Sequence, residues 1–442
     1  MYSIRSKILI TTGCLSLLAQ GLLAVHSHQT DTNIYLFMGI HLILFILLLV
    51  ALRFTIDITK TKEISLIIGF AIAMRIIAAF AYPYYEDDFH RYLWDGKVWH
   101  HKINPYQYPP DDFFLTPLRD QNWSNINFKS IPTIYPPLAQ FLFYLSYYLK
   151  PNSLLMLKAL LLLFDILTIG VVILILKKID RNIGTVILYA WNPLVIKEFA
   201  NSAHVDTLAV FMLSLFFLLA LKPYRGWATV ALGGAILAKL YPIVLIPALI
   251  RFFRLRDFVL LVTIILAGYS VFWDVEELVF QGLATYTQHW EYNDSGFVFL
   301  SIISALFTSE PMWWSKIIVI LGLGLIGIRK AQHVKRGGEE LLHTAFVLIG
   351  LLLIFAPTVA PWYLTWIIPL LCVFPRASWI TLNGTMFLSY FFYLHNQDLW
   401  WIRTAEYTPF FALLCWEMIQ RIKNKTLTKE LTYEKNSVPH FI

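Results

Sequence analysis

The sequence predicts an all-α protein, a polytopic transmembrane helical bundle of about 12–14 spans with extracytoplasmic loop helices. Three observations predict it. Hydrophobic residues make up 58% of the chain and charged residues 14%, whereas soluble domains carry about 25% charged residues; the mean hydropathy is +0.62. Long apolar runs recur along the whole chain. Lys and Arg fall in short clusters between those runs, so the net charge of +7 reads as positive-inside topology and not as a nucleic-acid surface. The apolar bundle covers residues 1–421, and a basic cytoplasmic tail follows at 422–442.

The runs can be taken in order. Arg5 and Lys7 precede a first span at 8–25; no small-x-small cleavage site follows, so it is read as a span starting in the cytoplasm. Spans at 34–52 and 64–82 flank Arg53, Lys60 and Lys62, which suit the inside. The chain then emerges into a first large extracytoplasmic loop, 83–135, rich in Asn, Asp, Pro and aromatics. The stretch to Leu149 is read as a helix lying in the interface, so that 153–176 runs inward to Lys177, Lys178 and Arg181. Next, 183–199 goes out and 205–221 comes in. The run 227–250 has basic residues at both ends, so it is read as two short helices meeting at Lys239 near the outer face. The span 257–273 leads to a second outer loop, 274–311. Spans at 313–328, 341–356, 364–375, 378–395 and 407–420 complete the bundle. All Lys and Arg clusters then share one side, and the polar constellations share the other.

The densest of these constellations runs from Tyr82 to Tyr106. Helical geometry over 86–99 puts Asp88, Arg91 and Asp95 at i, i+3 and i+7, on one face. Two carboxylates around a guanidinium suit work on an alcohol and a phosphate: one group takes a proton, the other holds an anion. A solvated charge cluster is the bland alternative. No cofactor is expected, although Asp87 and Asp88 could hold a divalent metal; no His or Cys stands at ligand spacing from them. Lys239 breaks an apolar run and needs a partner, either an outer-leaflet phosphate or the interface itself. His204 and Asp206 could orient a substrate hydroxyl or cap a helix. His289, Asn293 and Asp294 lie among rings that stack on sugars or sit in an interfacial belt. Lys197 and Glu198 can pair at the interface, and Asp165 and Arg75 can pair within the bundle or mark a transport path. Cys14, Cys372 and Cys415 all sit in apolar runs and read as core residues. No nucleotide-binding loop or hydrolase motif occurs, which disfavours an ATP-driven pump and a nicotinamide enzyme.

These motifs, in this order, resemble the polytopic glycosyltransferases of the C-type fold (GT-C), and among them bacterial mannosyltransferase-like members. The matching residues are Asp87-Asp88, Arg91-Tyr92-Leu93-Trp94-Asp95-Gly96, Asn104-Pro105-Tyr106 and Tyr135-Pro136-Pro137-Leu138. Trp191-Asn192-Pro193, Lys239-Leu240-Tyr241-Pro242 and Pro361-Trp362-Tyr363-Leu364-Thr365-Trp366 continue the series. The chain departs from the pattern in having two spans before the one that leads to the acidic pair, where many relatives have one. The resemblance implies a sugar, mannose by analogy, carried on a polyprenyl phosphate and transferred with inversion to a lipid or glycan acceptor. It also implies a multi-pass protein of the inner membrane with an extracytoplasmic site. Asp87 or Asp88 would be the general base, and Arg91 and Lys239 would stabilise the leaving phosphate. Asn104, Tyr106, His289 and Asn293 would hold sugar hydroxyls, with Asp95, Tyr135, His204, Trp362 and Tyr363 completing the substrate site. The rivals are a transporter or flippase and a ligase or polymerase of lipid-linked glycans.

Overall fold

The computed structural model describes residues 3–28, 33–55, 61–334, 338–392 and 399–437, with side chains as far as residue 424. The described residues form helices joined by short connections. No strand occurs among them, and one parallel bridge joins Tyr292 to Thr358.

The first three helices are long: α1 (Ile4–His26), α2 (Ile34–Thr55) and α3 (Thr61–Phe80). Helix α1 packs on both α2 and α3. Pro83 follows α3 and prevents its continuation. The outer loop begins with α4 (Asp88–His100), which packs on α5 (Pro137–Leu149). At 13 residues α5 is about 20 Å long, shorter than the roughly 30 Å of a bilayer core. Gly96 brings α4 onto α5, because a Cβ there would lie 2.3 Å from the Phe143 carbonyl oxygen.

Long α6 (Leu154–Lys178) follows. Its Lys158 is buried and donates to the Ala79 and Ala81 carbonyls (3.1 and 2.6 Å), satisfying the open end of α3. Asp165 of α6 pairs with Arg75 of α3 (2.7 Å), both wholly buried, and Tyr189 Oη donates to the same carboxylate (2.8 Å). The pairing within the bundle that the sequence allows is present, and it joins α3 to α6.

The next apolar run is not one span. Pro193 and its surroundings cut it into short pieces, ending in a single π-turn at Ile196–Asn201. The chain bends by 119° into α7 (Asp206–Ala220), which packs on α6 and on α8 (Arg225–Ala238). Helix α8 stops at Lys239, whose backbone is extended, and a 3-10 stretch continues at Tyr241–Leu249. The expected break at Lys239 is therefore present.

Then come α9 (Leu255–Ser270), α10 (Gln281–His289), α11 (Gly296–Ser304), α12 (Pro311–Ala331) and α13 (Glu340–Phe355). The run expected at 364–375 is a 3-10 segment, Pro361–Trp366, and a short helix, Ile368–Val373. Helix α14 (Ala377–Thr385) packs on α15 (Trp400–Ser437), which carries the stretch expected as a separate tail. The polar cluster expected at His395–Asp398 lies outside the described residues.

Among the described residues, five unbroken helices are long and apolar enough to cross a membrane, or seven if each bent pair counts as one. Counting apolar runs gives about 12–14, a number that includes apolar helices shorter than 18 residues such as α13. The protein is a multi-pass helical membrane protein.

Candidate functional site

The acids after α3 are held by a tightly bonded turn. Tyr84 N–H donates to Asn201 Oδ1 (3.1 Å), and Asn201 Nδ2 donates to the Tyr82 carbonyl (3.0 Å). Tyr84 Oη donates to the Leu23 carbonyl of α1 (2.6 Å), and Tyr85 takes a positive φ of 48°. The turn delivers Glu86 and Asp87 to the start of α4 and Asp88 into its first turn, where the helix dipole favours negative charge.

Glu86, Asp87 and Asp88 line one wall of a cavity of about 650 Å³, a volume typical of ligand sites. Arg91 enters from α4, Tyr135 from the start of α5, and Lys239 from the break after α8. Tyr286, Trp290, Trp362, Tyr363 and Tyr390 supply aromatic walls. Rings of this kind stack on sugar faces, while the charged groups bind anions.

Each cation is aimed by an acid behind it. Arg91 Nε donates to Asp95 Oδ1 (2.8 Å) and Nη1 to the Ile131 carbonyl (3.0 Å), leaving the buried Nη2 without a partner among the described residues. Asp95 is itself buried and accepts from Gln140 (3.0 Å). Lys239 Nζ donates to Asp206 Oδ2 (3.0 Å), whose other oxygen accepts from Trp366 Nε1 (2.6 Å). The ammonium also lies 5.4 Å from the Tyr363 ring centre and 5.9 Å from that of Tyr135.

Burial governs the acids. It pushes the Glu86 carboxyl up to about 7, against the pull of His204. Burial, aided by the charge of Asp88, pushes Asp87 up to about 6, and a hydrogen bond from Asn127 partly opposes this. Asp88 Oδ2 accepts from the Tyr92 and Tyr135 hydroxyls (both 3.4 Å).

His204 lies fully buried behind the acids. Its Nε2 is 3.3 Å from Glu198 Oε2 and 3.5 Å from Glu86 Oε2, and its Nδ1 is 3.9 Å from Asp88 Oδ2. Its ring stacks on Trp362 at 4.1 Å. Tyr390 Oη donates to Glu198, and Lys197 lies 3.4 Å from the same carboxylate.

Of the residues singled out from the sequence, the cavity gathers Asp87, Asp88, Arg91, Tyr135, Lys239, Trp362 and Tyr363, with His204 and Asp95 directly behind. The rest lie elsewhere. Tyr106 is buried and donates to the Tyr135 carbonyl (2.6 Å). Asn104 donates to Asp274 (2.6 Å) and lines a separate, more open hollow. His289 caps its own helix at Thr285 (3.0 Å); its neighbour Trp290 faces the cavity instead. Asn293 is buried and donates to Glu406 (3.1 Å). Sequence reasoning left Glu86, Glu198 and Tyr390 out of the site. A charge pair inside an apolar run, Lys197-Glu198, was a usable signal; nothing in the sequence pointed to Tyr390.

A family model described as alpha-(1->6)-mannopyranosyltransferase, N-terminal domain, matches residues 10–253. The match spans more than half of the chain and includes the acids, Arg91, His204 and Lys239. The chain belongs to this family. It is a glycosyltransferase, and its apolar helices make it an integral membrane mannosyltransferase. Comparison with curated proteins and with solved structures gave no match. The aromatic segments of the mannosyltransferase at Tyr286–Trp290 and Trp362–Tyr363 lie beyond the matched region, yet they close the same cavity.

Proposed function

We propose that the protein transfers mannose from a polyprenyl-phosphate donor to a lipid or glycan acceptor, with inversion, in this cavity. The observation that carries the reading is the convergence of two kinds of group. Carboxylates able to take a proton, Asp87 and Asp88, share a 650 Å³ space with two cations, Arg91 and Lys239, that can hold a phosphate. The acceptor hydroxyl would lose its proton to an Asp as it attacks the anomeric carbon. The growing charge on the departing phosphate would fall on Arg91 Nη2 and Lys239 Nζ. The donor's apolar chain would lie along the membrane-facing helices, and Trp362 or Tyr363 would support the sugar ring.

An extracytoplasmic site in the inner membrane is supported by charge. Helices α6 and α12 end in Lys177-Lys178 and Arg329-Lys330, and Arg181 meets Glu339 at that end of the molecule. The acids follow the opposite end of α3.

The test is transfer in reconstituted membranes. Polyprenyl phosphates bearing labelled mannose, glucose or arabinose are offered with a lipid extract as acceptor. Label should move from the mannosyl donor, and Asp87→Asn or Asp88→Asn should cut the rate by about 10²-fold or more in a folded protein. Full transfer by both variants would remove the Asp base. No transfer from any of the three donors by folded wild type would overturn the donor assignment.

A further inference from the structure

We propose that Glu86, Asp88 and His204 form a site for one divalent cation at the back of the cavity. One ligand atom from each residue lies within 4.8 Å of the others. Four-coordinate ligands at about 2.1 Å from a metal stand about 3.4 Å apart, so small side-chain rotations close the set around an ion. The three come from two separate places, the turn before α4 and the bend before α7, which explains why spacing along the sequence gave no sign of them.

Unmet polar groups point the same way. Glu86 Oε2 and both ring nitrogens of His204 are buried and make no well-formed hydrogen bond among the described residues. Their contacts with neighbouring oxygens, 3.3 to 3.9 Å, exceed the roughly 2.8 Å of a charge-assisted bond. Such groups are costly unless something lies among them. Asp88 is the least buried member and faces the cavity, so an ion here would keep an open coordination position toward the substrate.

The surroundings suit a ligating imidazole. Glu198 Oε2 and Glu86 Oε2 both face Nε2, at 3.3 and 3.5 Å, and Asp88 Oδ2 faces Nδ1 at 3.9 Å. Glu198 is in turn held by Tyr390 and Lys197. With an ion bound, Glu198 would serve as the outer carboxylate of a carboxylate–histidine–metal relation, fixing tautomer and ring angle. Trp362 stacks on the imidazole and fixes its plane. Backbone bonds hold the residue as well: His204 N–H donates to the Glu198 carbonyl (3.0 Å), and the His204 carbonyl accepts from Thr207 Oγ1 (2.7 Å). One nitrogen and two carboxylates suit Mn²⁺ or Zn²⁺ better than Ca²⁺, which takes six to eight oxygens.

The ion's role rests on the transfer reading above. It would polarise a sugar or phosphate oxygen at its open position. With Asp88 engaged as a ligand, Asp87 becomes the carboxylate left to accept the proton.

The experiment reads binding directly. The full chain in detergent is assayed for bound metal as purified, then stripped with chelator and titrated with Mn²⁺, following loss of the free-ion resonance. About one ion per chain is expected. His204→Gln and the near-isosteric Glu86→Gln should each weaken binding at least about tenfold, whereas Asp87→Asn should retain it. Melting curves confirm that each variant is folded. No metal as purified and no Mn²⁺ uptake by folded wild type would overturn the site. So would unchanged affinity in both variants, which would leave a proton shared between Glu86 and His204 as the occupant. Transfer by folded protein that takes up no Mn²⁺ sinks the site and spares the donor reading. Metal bound through these residues, with no transfer from any donor, does the reverse.

Discussion

Lys239 offers a test that separates catalysis from structure. Its ammonium donates to Asp206, and the two side chains are 18% and 0% exposed. Removing the lysine alone leaves a carboxylate buried with only Trp366 as donor. Breaking a buried pair in this way costs about 3–5 kcal/mol; the partial exposure of Lys239 puts the expected loss at the lower end, about 3 kcal/mol. Lys239→Met should therefore lower the melting temperature clearly. Adding Asp206→Asn removes the stranded charge while keeping an oxygen for Trp366. The double variant should recover to within about 1 kcal/mol of wild type. Activity should behave differently. If Lys239 stabilises the departing phosphate, both variants lose about 10²–10³-fold in turnover, the usual effect of deleting one group that binds transition-state charge. Melting curves and labelled-mannose transfer on the same preparations give both readings. Return of transfer in the double variant would refute the reasoning, because Lys239 would then be only a counter-ion for Asp206.

Four further outcomes follow from local geometry. Transfer that needs Asp87 as a carboxylate falls as pH drops through about 6, and a bound cation would move that limb lower. Asn127→Ala removes a donor that favours the charged form, so the acid limb of the rate profile should rise by about half a unit to one unit; a limb that stays or falls rules out the contact. Gly96→Ala places a Cβ 2.3 Å from the Phe143 carbonyl oxygen. It should cost about 1–3 kcal/mol and disturb the α4 site residues, and a variant as stable and active as wild type would show that α4 is not held this way. Arg75→Leu strands Asp165 and should cost about 3–5 kcal/mol, while the Arg75→Leu, Asp165→Leu double variant should recover much of it. Transfer per folded molecule should stay within about threefold of wild type, since neither residue lines the cavity. A double variant no more stable than the single one would deny the pairing.

The helical class, the break at Lys239 and the helix starting beside Asp88 were legible because each has a local cause. Apolar runs demand helices in a bilayer, Pro242 follows Lys239, and Pro83 stops α3 just before the acids. The run 183–199 read as one span because its composition is apolar throughout; the Pro193 break and the π-turn are backbone events that hydropathy averaging hides. Site residues divided in the same way. Asp87, Asp88 and Arg91 are neighbours in sequence and in space. His204 reaches Asp88 only because two separate turns converge, and Tyr390 reaches Glu198 across 192 positions. His289 and Asn293 had suitable chemistry, but a helix C-terminus and a buried bond to Glu406 use them up.

The breaks also explain why the polar cavity can exist in so greasy a chain. A continuous helix bonds its own backbone and exposes only side chains; a broken one frees peptide groups that need partners. Here Lys158 and Asn201 supply such partners, and acids at the neighbouring breaks hold cavity side chains. Lys158 serves the end of α3, Asn201 serves the turn before Glu86, and Asp206 begins α7 while holding Lys239. Glu198 sits in the π-turn and faces His204. Asn201, Asp206 and Glu198 each sit at a helix break and also hold the turn or side chain that supplies a site group. Replacing one should therefore change stability and turnover together, and only paired substitutions such as that of Lys239 with Asp206 can divide the two effects.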